Sequence, residues 1–414
     1  MLLVSVLTPD DPDGSTVDEL EDLVRTAGGK VIGRMTQGSD RLHPVTYVGK
    51  GKLGELKAAA EELAVHLVVA NHDLSPKQAR SIEKTLEMRV LDRSEVILDI
   101  FARNARSRQS KLQVELAQLE YARPRLKRLW THLEGQDGGI GARGGPGEKQ
   151  IEIDRRILDR RIRDLRADLR EIAARKDREV EARAREFDTV ALVGYTNAGK
   201  SSLAGRLTGA DLLIADRLFS TLDTRTRSWV LPGGHKVLLS DSVGFLRRLP
   251  HHLIASFHAT LSEAAHADLL LHVVDASHPQ ADRHVEAVEE VLARLGLSER
   301  PAILVLNKMD RVRDPLALTH LFGARESVRV SARTGEGIEE LAAAARRHFD
   351  LRRPFVRVTF PAADGRLAAA LHRHGSVAGE IYEGERVQID VYLDRDRLAR
   401  LEREPGVSVE ILRE

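Results

Sequence analysis

Apolar and polar positions change rhythm along the chain. Over residues 1–102, short apolar runs alternate with stretches of helical spacing. LLVSVL, KVIGRM, VHLVVA and MRVLD read as strands, and TVDELEDLVRTAG, LGELKAAAEELA, SPKQARSIEKTLE and DRSEVILDIFA as helices. That alternation predicts a small α/β subdomain with a mostly parallel sheet. From 103 to 187 the strands disappear. Leu112, Leu116 and Leu119, then Leu126, Trp130 and Leu133, fall at helical spacings, with Pro124 expected to break the run. Leu158, Ile162, Leu165, Leu169 and Ile172 repeat the pattern after a glycine-rich stretch, among mixed charges that suit a solvated helix. Two such helices joined by a short turn predict an antiparallel hairpin.

From 188 to 350 the βα alternation returns. TVALVGY, HKVLLSD, DLLLHVVD, PAILVLN and SVRVS are nearly continuous apolar runs, as parallel strands buried on both faces require. From 354 to 414, FVRVTF, ERVQIDVYL and VSVEIL surround a helix LAAALHRHG and predict a small α+β domain. The expected fold class is therefore α/β multidomain: an N-terminal α/β subdomain, a helical hairpin, a domain with a mostly parallel sheet, and a small C-terminal α+β domain.

Composition narrows the classes. At 414 residues the chain exceeds one core, and its 42% hydrophobic content is that of a globular protein. It has no cysteine, so it has no disulfide framework and no thiolate metal site. That suits a reducing compartment, and a cytoplasmic location is expected. The start, MLLVSVLTPDD, lacks the basic flank and small-residue cleavage site of a secretory leader. No apolar run approaches the ~18–20 residues of a membrane span. The net charge of +1 decides nothing, but residues 103–150 carry ten Lys/Arg against five Asp/Glu. Such a surplus is a candidate footprint for a phosphate backbone.

Two glycine-rich loops compete for the role of nucleotide cradle. GGIGARGGPGEKQ, from Gly138, lies between the two helices, not at a strand end. GYTNAGKSS, Gly194 to Ser202, follows the strand TVALV, opens a helix and fits the phosphate-loop pattern. Gly194, Asn197, Ala198, Gly199 and Ser202 would wrap the phosphates with backbone, aided by the helix N-terminus. Lys200 would reach the β- and γ-phosphates, and Ser201 would ligate Mg2+. Three further elements follow in order at strand ends. DSVG offers Asp241 to the metal and the Gly244 N–H to a γ-phosphate. NKMD offers Asn307, Lys308 and Asp310; the Asp310 carboxylate matches the guanine N1–H and amine, a pair adenine lacks. Ser331 and Ala332 would bring a backbone N–H to the guanine O6. These four elements point to a guanine-nucleotide P-loop NTPase. A threonine in LFSTLDTRTR should close over the γ-phosphate; Thr221, Thr224 and Thr226 all qualify on the residues alone.

Many GTPases place a glutamine after the DxxG glycine to orient water, whereas here Phe245 stands there. No catalytic side chain is therefore assigned. The water must be placed by another residue, by K+, or by a partner that orders the loops.

The motifs DRSEVILDIFARNARS, KLQVELAQLEYARPRLKRLWTHL, GGIGARGGPGEKQIEIDRR, GYTNAGKSS, LFSTLD, DSVGFLRRLP and LLLHVVDASHP resemble those of the HflX-type ribosome-associated GTPases of the Obg/HflX group, over essentially the whole chain. Ser202, Ser242 and Lys149 stand where that family usually has Thr. The resemblance favours Thr221 among the three threonines. It implies binding to the large (50S) ribosomal subunit, GTP hydrolysis stimulated by the ribosome, splitting of stalled ribosomes during stress, and contact between the hairpin tip and rRNA. The tip candidates are Gly138, Gly139, Gly141, Arg143, Gly144, Gly145 and Lys149, where glycines permit close approach and the cations can meet phosphates. Tyr121 and Trp130 suit helix packing better than base stacking. A monomer is expected.

Rival readings are a GTP-gated RNA anchor with incidental hydrolysis, a P-loop metabolic kinase, and an ATP-dependent RNA helicase using the N-terminal region. The kinase reading is disfavoured by NKMD. The loop VGKGKLGEL, Val48 to Leu56, is a weak second nucleotide candidate that reads better as a basic helix start.

Overall fold

The computed structural model describes residues 1–9, 11, 14–126, 146–209, 219, 225–241, 244–247, 263–323, 325–393 and 395–413. Contacts divide the chain into two compact units. The first holds Met1–Arg178 together with Ala215–Asp223 and Leu246–Ser262. The second holds Glu179–Ile214, Thr224–Phe245 and Glu263–Glu414.

In the first unit, β1 (Leu2–Leu7), α1 (Ser15–Thr26), β2 (Gly33–Gly38), α2 (Lys50–Glu62), β3 (Leu67–Ala70), α3 (Pro76–Leu86), β4 (Arg89–Asp92) and α4 (Arg93–Asn104) alternate. The sheet runs β2-β1-β3-β4 and is parallel throughout. Its inner strands are the most apolar: Leu2, Leu3, Val4, Val68 and Val69 are buried. Capping sets the helix starts. Ser75 and Asp92 each form a reciprocal capping box, with Gln78 and Glu95. The strand expected over KVIGRM lies three residues later, because Gly33–Gly38 is the stretch that pairs with β1. Its alternating burial marks an edge strand with one solvated face. At Val48–Leu56 the Gly49 N–H is already taken by Gln37 Oε1 (2.9 Å), and Lys52 pairs with Glu55 (2.8 Å).

α5 (Arg108–Ala122) ends in a short 3-10 turn at Arg123–Arg125, where Pro124 was expected to break it. α6 (Pro146–Glu186) is one helix of 41 residues. A seam of Leu116, Ile162, Leu165 and Leu169 joins α5 to α6. Arg161–Glu115 and Arg166–Glu120 (both 2.7 Å) flank it, and each pair spans 46 residues, which fixes the hairpin's register. Tyr121 is 8% exposed and its hydroxyl donates to Asp92 (2.8 Å), so it is a packing residue. Burial and the neighbouring Asp73 raise the Asp92 pKa. Trp130 and the tip from Gly138 to Gly145 lie outside the described residues, as does the Lys149 side chain.

The second unit carries two sheets. β5 (Thr189–Gly194), α7 (Lys200–Thr208), β6 (Arg225–Leu231), β7 (His235–Asp241), β8 (Leu269–Asp275), α8 (Ala281–Arg294), β9 (Ala302–Asn307), α9 (Pro315–Phe322), β10 (Ser327–Arg329) and α10 (Ile338–Leu351) build the larger one. Its order is β10-β9-β8-β5-β7-β6, parallel except for β6. β6 was not expected: the polar run Arg225–Ser228 hid a strand whose Trp229 and Leu231 are each 2% exposed. The smaller sheet, from β11 (Phe355–Pro361), α11 (Gly365–His374), β12 (Ser376–Glu383), β13 (Arg386–Tyr392), α12 (Arg395–Leu401) and β14 (Ser408–Arg413), is antiparallel in the order β12-β13-β11-β14. This is the split βαβ arrangement. Among the described residues, no helix is long and apolar enough to cross a membrane.

Leu165 is fully buried in the hairpin seam. Leu165→Ala should cost about 2–5 kcal/mol, read as a lower urea midpoint for the helical signal of the full chain.

Candidate nucleotide site

β5 ends on Gly194 at φ +151, where a Cβ would stand 2.2 Å from the Val273 carbonyl oxygen. Only glycine fits between β5 and β8 there. The loop then turns through Asn197 (φ +59) to Gly199 (φ +93), where a Cβ would lie 2.4 Å from Asn307 Nδ2. α7 begins at Lys200. The lysine is 6% exposed, and its Nζ donates to the carbonyls of Gly194 (3.0 Å) and Tyr195 (2.8 Å). Burial pushes its pKa down to about 8, with the Asp241 carboxylate opposing and the Lys308 ammonium adding to the fall.

Ser201 Oγ donates to Asp241 Oδ2 (2.7 Å). These two hard oxygen donors, from the start of α7 and the end of β7, make a donor set that suits Mg2+. Ser202 is half-buried on the first turn of α7. Gly244 packs against the phosphate loop; a Cβ there would be 2.7 Å from Thr196 Cα and 3.0 Å from Lys200 Nζ. Phe245 is 4% exposed and its backbone is doubly engaged, donating to Gly194 O (3.1 Å) and accepting from Thr196 N–H (2.7 Å). Phe245 is thus a packing residue whose main chain ties the DxxG segment to the phosphate loop.

On the base side, Asn307 is 1% exposed at the end of β9. Its Nδ2 donates to Ala198 O (2.9 Å) and its Oδ1 accepts from Ala332 N–H (3.0 Å). One side chain therefore joins the phosphate loop to the loop after β10. The Ala332 N–H, expected to face a guanine O6, is directed to Asn307 instead, so a base edge would have to share or replace that bond. Ser331 Oγ donates to Asp310 Oδ1 (2.7 Å), which fixes the carboxylate. Lys308 (φ +63) pairs with Asp275 Oδ2 at 2.7 Å. Asp275, from DASHP, was not picked out beforehand; its place at a strand end was the available signal. Hydrogen bonds from Lys308 and Ser277 outweigh burial and hold the Asp275 pKa low.

Thr221 and Thr224 lie outside the described residues. Thr226 is no longer a rival. It sits in β6, with its hydroxyl bonded to the Ser240 hydroxyl and to Glu263 Oε2 (both 3.1 Å).

Comparison with known proteins finds relatives over nearly the whole chain. Family models match three successive parts of the chain: "GTP-binding GTPase N-terminal" over residues 14–102, "GTP-binding GTPase Middle Region" over 104–185, and "50S ribosome-binding GTPase" over 189–308. The GTPase HflX of Lacrimispora saccharolytica is 42% identical over 405 residues, covering 97% of this chain and 95% of the relative. The chain belongs to the HflX family of GTPases. The HflX of Escherichia coli is 40% identical over 385 residues, covering 92% of this chain and 90% of that one. A GTP-binding protein of Sulfolobus solfataricus, solved with GDP, aligns at a TM-score of 0.44 and 24% identity, covering 84% of this chain and 98% of its own. As an HflX-family member the chain is a P-loop GTP hydrolase of a ribosome-binding GTPase family.

The buried lysine gives a signed pH dependence. An anion bound to Lys200 stabilises the ammonium and raises its pKa above the free value of about 8. Binding then takes up a proton at higher pH, and affinity falls as pH rises through that value. GDP affinity should drop about tenfold between pH 7 and pH 9, measured by calorimetry at constant ionic strength. A flat profile would mean that Lys200 stays fully charged in the free protein.

Proposed function

We propose that this HflX-family GTPase binds Mg2+·GTP through Gly194, Asn197, Ala198, Gly199, Lys200, Ser201 and Ser202, with Asp241 and Gly244 at the γ-phosphate side. Asn307, Lys308, Asp310, Ser331 and Ala332 hold the guanine. The observation that carries this reading is the Asn307 bridge, which makes the base side and the phosphate side one rigid element. Lys200 neutralises the β- and γ-phosphates, and the Gly244 N–H meets the γ-phosphate. Ser201 and Thr221 hold the metal, with Asp241 beside them. The metal supplies charge neutralisation on the phosphate oxygens. Asp310 accepts from the guanine N1–H and amine, which excludes adenine.

Phe245 brings no donor to a water, so unaided hydrolysis is slow and the missing order comes from outside. The family description and the basic stretch around the hairpin support the 50S subunit and its rRNA as that outside partner, with K+ as an additional candidate. The hairpin tip, with Arg143 and Lys149, contacts rRNA, and nucleotide-driven rearrangement splits or rescues stalled ribosomes in the cytoplasm.

GTP turnover with and without purified large subunits tests this reading. Stimulation of tenfold or more, on the order of an external positioning element, is expected. Tight GTP binding without stimulation would remove the ribosome from the proposal. For the base, Asp310→Asn should turn preference from GTP toward XTP, because the amide now suits the xanthine edge. Competition binding with both nucleotides would show no exchange of preference if Asp310 does not read the base.

A further inference from the structure

The bond from Asn307 to the Ala198 carbonyl holds the phosphate loop close to the start of α7. A contact of another kind holds the loop where it leaves β5. The Tyr195 side chain is buried there, and the imidazole of His284, in the first turn of α8, lies flat on its ring. The ring centroids are 3.9 Å apart and the planes differ by 5°. His278, exposed in DASHP, extends the stack at 4.3 Å from His284 with a tilt of 36°. Backbone bonds fix the histidine side. The His278 N–H donates to Asp275 O (3.2 Å), its Nδ1 accepts from Gln280 N–H (3.1 Å), and the His284 N–H donates to Gln280 O (3.0 Å). Asp275 is paired with Lys308 of NKMD (2.7 Å), so the rings stand on a segment anchored to the base side of the site. All of these residues lie within the second unit.

Tyr195 is where a fixed ring has most effect on the loop. Its carbonyl accepts from Lys200 Nζ (2.8 Å) and from the Ala198 N–H (3.2 Å). The N–H of the next residue, Thr196, donates to Phe245 O (2.7 Å). The position of the ring therefore bears on the carbonyl beside the buried ammonium. A phosphate loop binds through main-chain N–H groups, and any disorder among them must be removed when the ligand arrives, at a loss of affinity. Gly194 and Gly199 give the backbone freedom at the two ends of the loop. Asn307 restrains it at Ala198, and the stack restrains it at Tyr195. We propose that His284 is a positioning residue for nucleotide binding, which holds the phosphate loop in its binding shape by stacking on Tyr195. This inference rests on the nucleotide site proposed above. GDP and GTP meet the same loop, so the stack acts on both alike and not on the hydrolytic step.

Two substitutions separate stacking from mere packing. His284→Leu fills the volume without a ring face, and His284→Phe keeps the face without the imidazole; both residues are tolerated in a helix. In the full chain, His284→Leu should weaken GDP and GTP binding alike by about three- to tenfold, the worth of an aromatic pair in good geometry. Its kcat at saturating GTP should stay within about twofold, as loss of uniform binding requires. His284→Phe should bind both nucleotides within about twofold of the parent chain, because the stack uses ring faces and not ring nitrogens. In a Tyr195→Leu background, His284→Leu should bring no further loss, since both changes remove one contact. Full affinity in His284→Leu, a Phe variant as weak as the Leu variant, additive losses with Tyr195→Leu, or a loss confined to GTP or to kcat would overturn the proposal. GDP binding that survives Lys200→Ala would instead reject the nucleotide site itself, whatever the His284 variants do.

Discussion

An ammonium group held out of water, faced by two main-chain carbonyls and one nearby carboxylate, is short of negative charge. Lys200 is in that position, and much of the second unit is arranged to keep it there. β5 must end on a glycine so that its backbone passes under the Val273 carbonyl. Gly199 must adopt a left-handed conformation so that α7 can start with the lysine facing inward. The apolar core of Leu192, Leu203, Val273 and Val305 holds β5 and α7 in register. Burial lowers the lysine's pKa, and a bound phosphate removes the deficit. The site gains binding energy from a cost already met by folding.

The base side depends on the same economy of polar groups. Asn307 spends both ends of its amide on backbone, one in the phosphate loop and one after β10. A loop carrying Asp310 and a loop carrying Lys200 can then respond to nucleotide as one body. Phe245 shows the opposite choice. Its side chain packs, and its main chain makes the bonds to the phosphate loop.

What could be read in the sequence was whatever is decided locally. GYTNAGKSS, DSVG and NKMD are short, and their chemistry depends on backbone conformations that glycine and the strand ends impose. The parallel strands announced themselves as apolar runs because both of their faces are covered. Two edge strands did not. β6 opens on the polar run Arg225, Thr226, Arg227 and Ser228, and β12 is largely exposed, so neither carries a strong apolar run. The shift of β2 to Gly33–Gly38 has the same cause. The Asp275–Lys308 pair, the Thr226–Glu263 bond and the Arg93–Arg247 bond join residues 33, 37 and 154 positions apart, and no local pattern reports them.

One contact of the first unit changes what counts as a module. Phe219 is 2% exposed, its ring stands edge-on to Phe101 at 4.5 Å, and its carbonyl accepts from Asn104 Nδ2 (2.8 Å). Phe219 falls inside the stretch 189–308 matched by the "50S ribosome-binding GTPase" model, yet its packing partners lie near residue 100. The heritable segment and the physical body are different objects here. A chimera that grafted residues 189–308 onto a foreign partner would carry an aromatic ring and a carbonyl evolved for a seat left behind. It would meet water with both unless Phe101 and Asn104, or substitutes of the same shape, were transplanted with it.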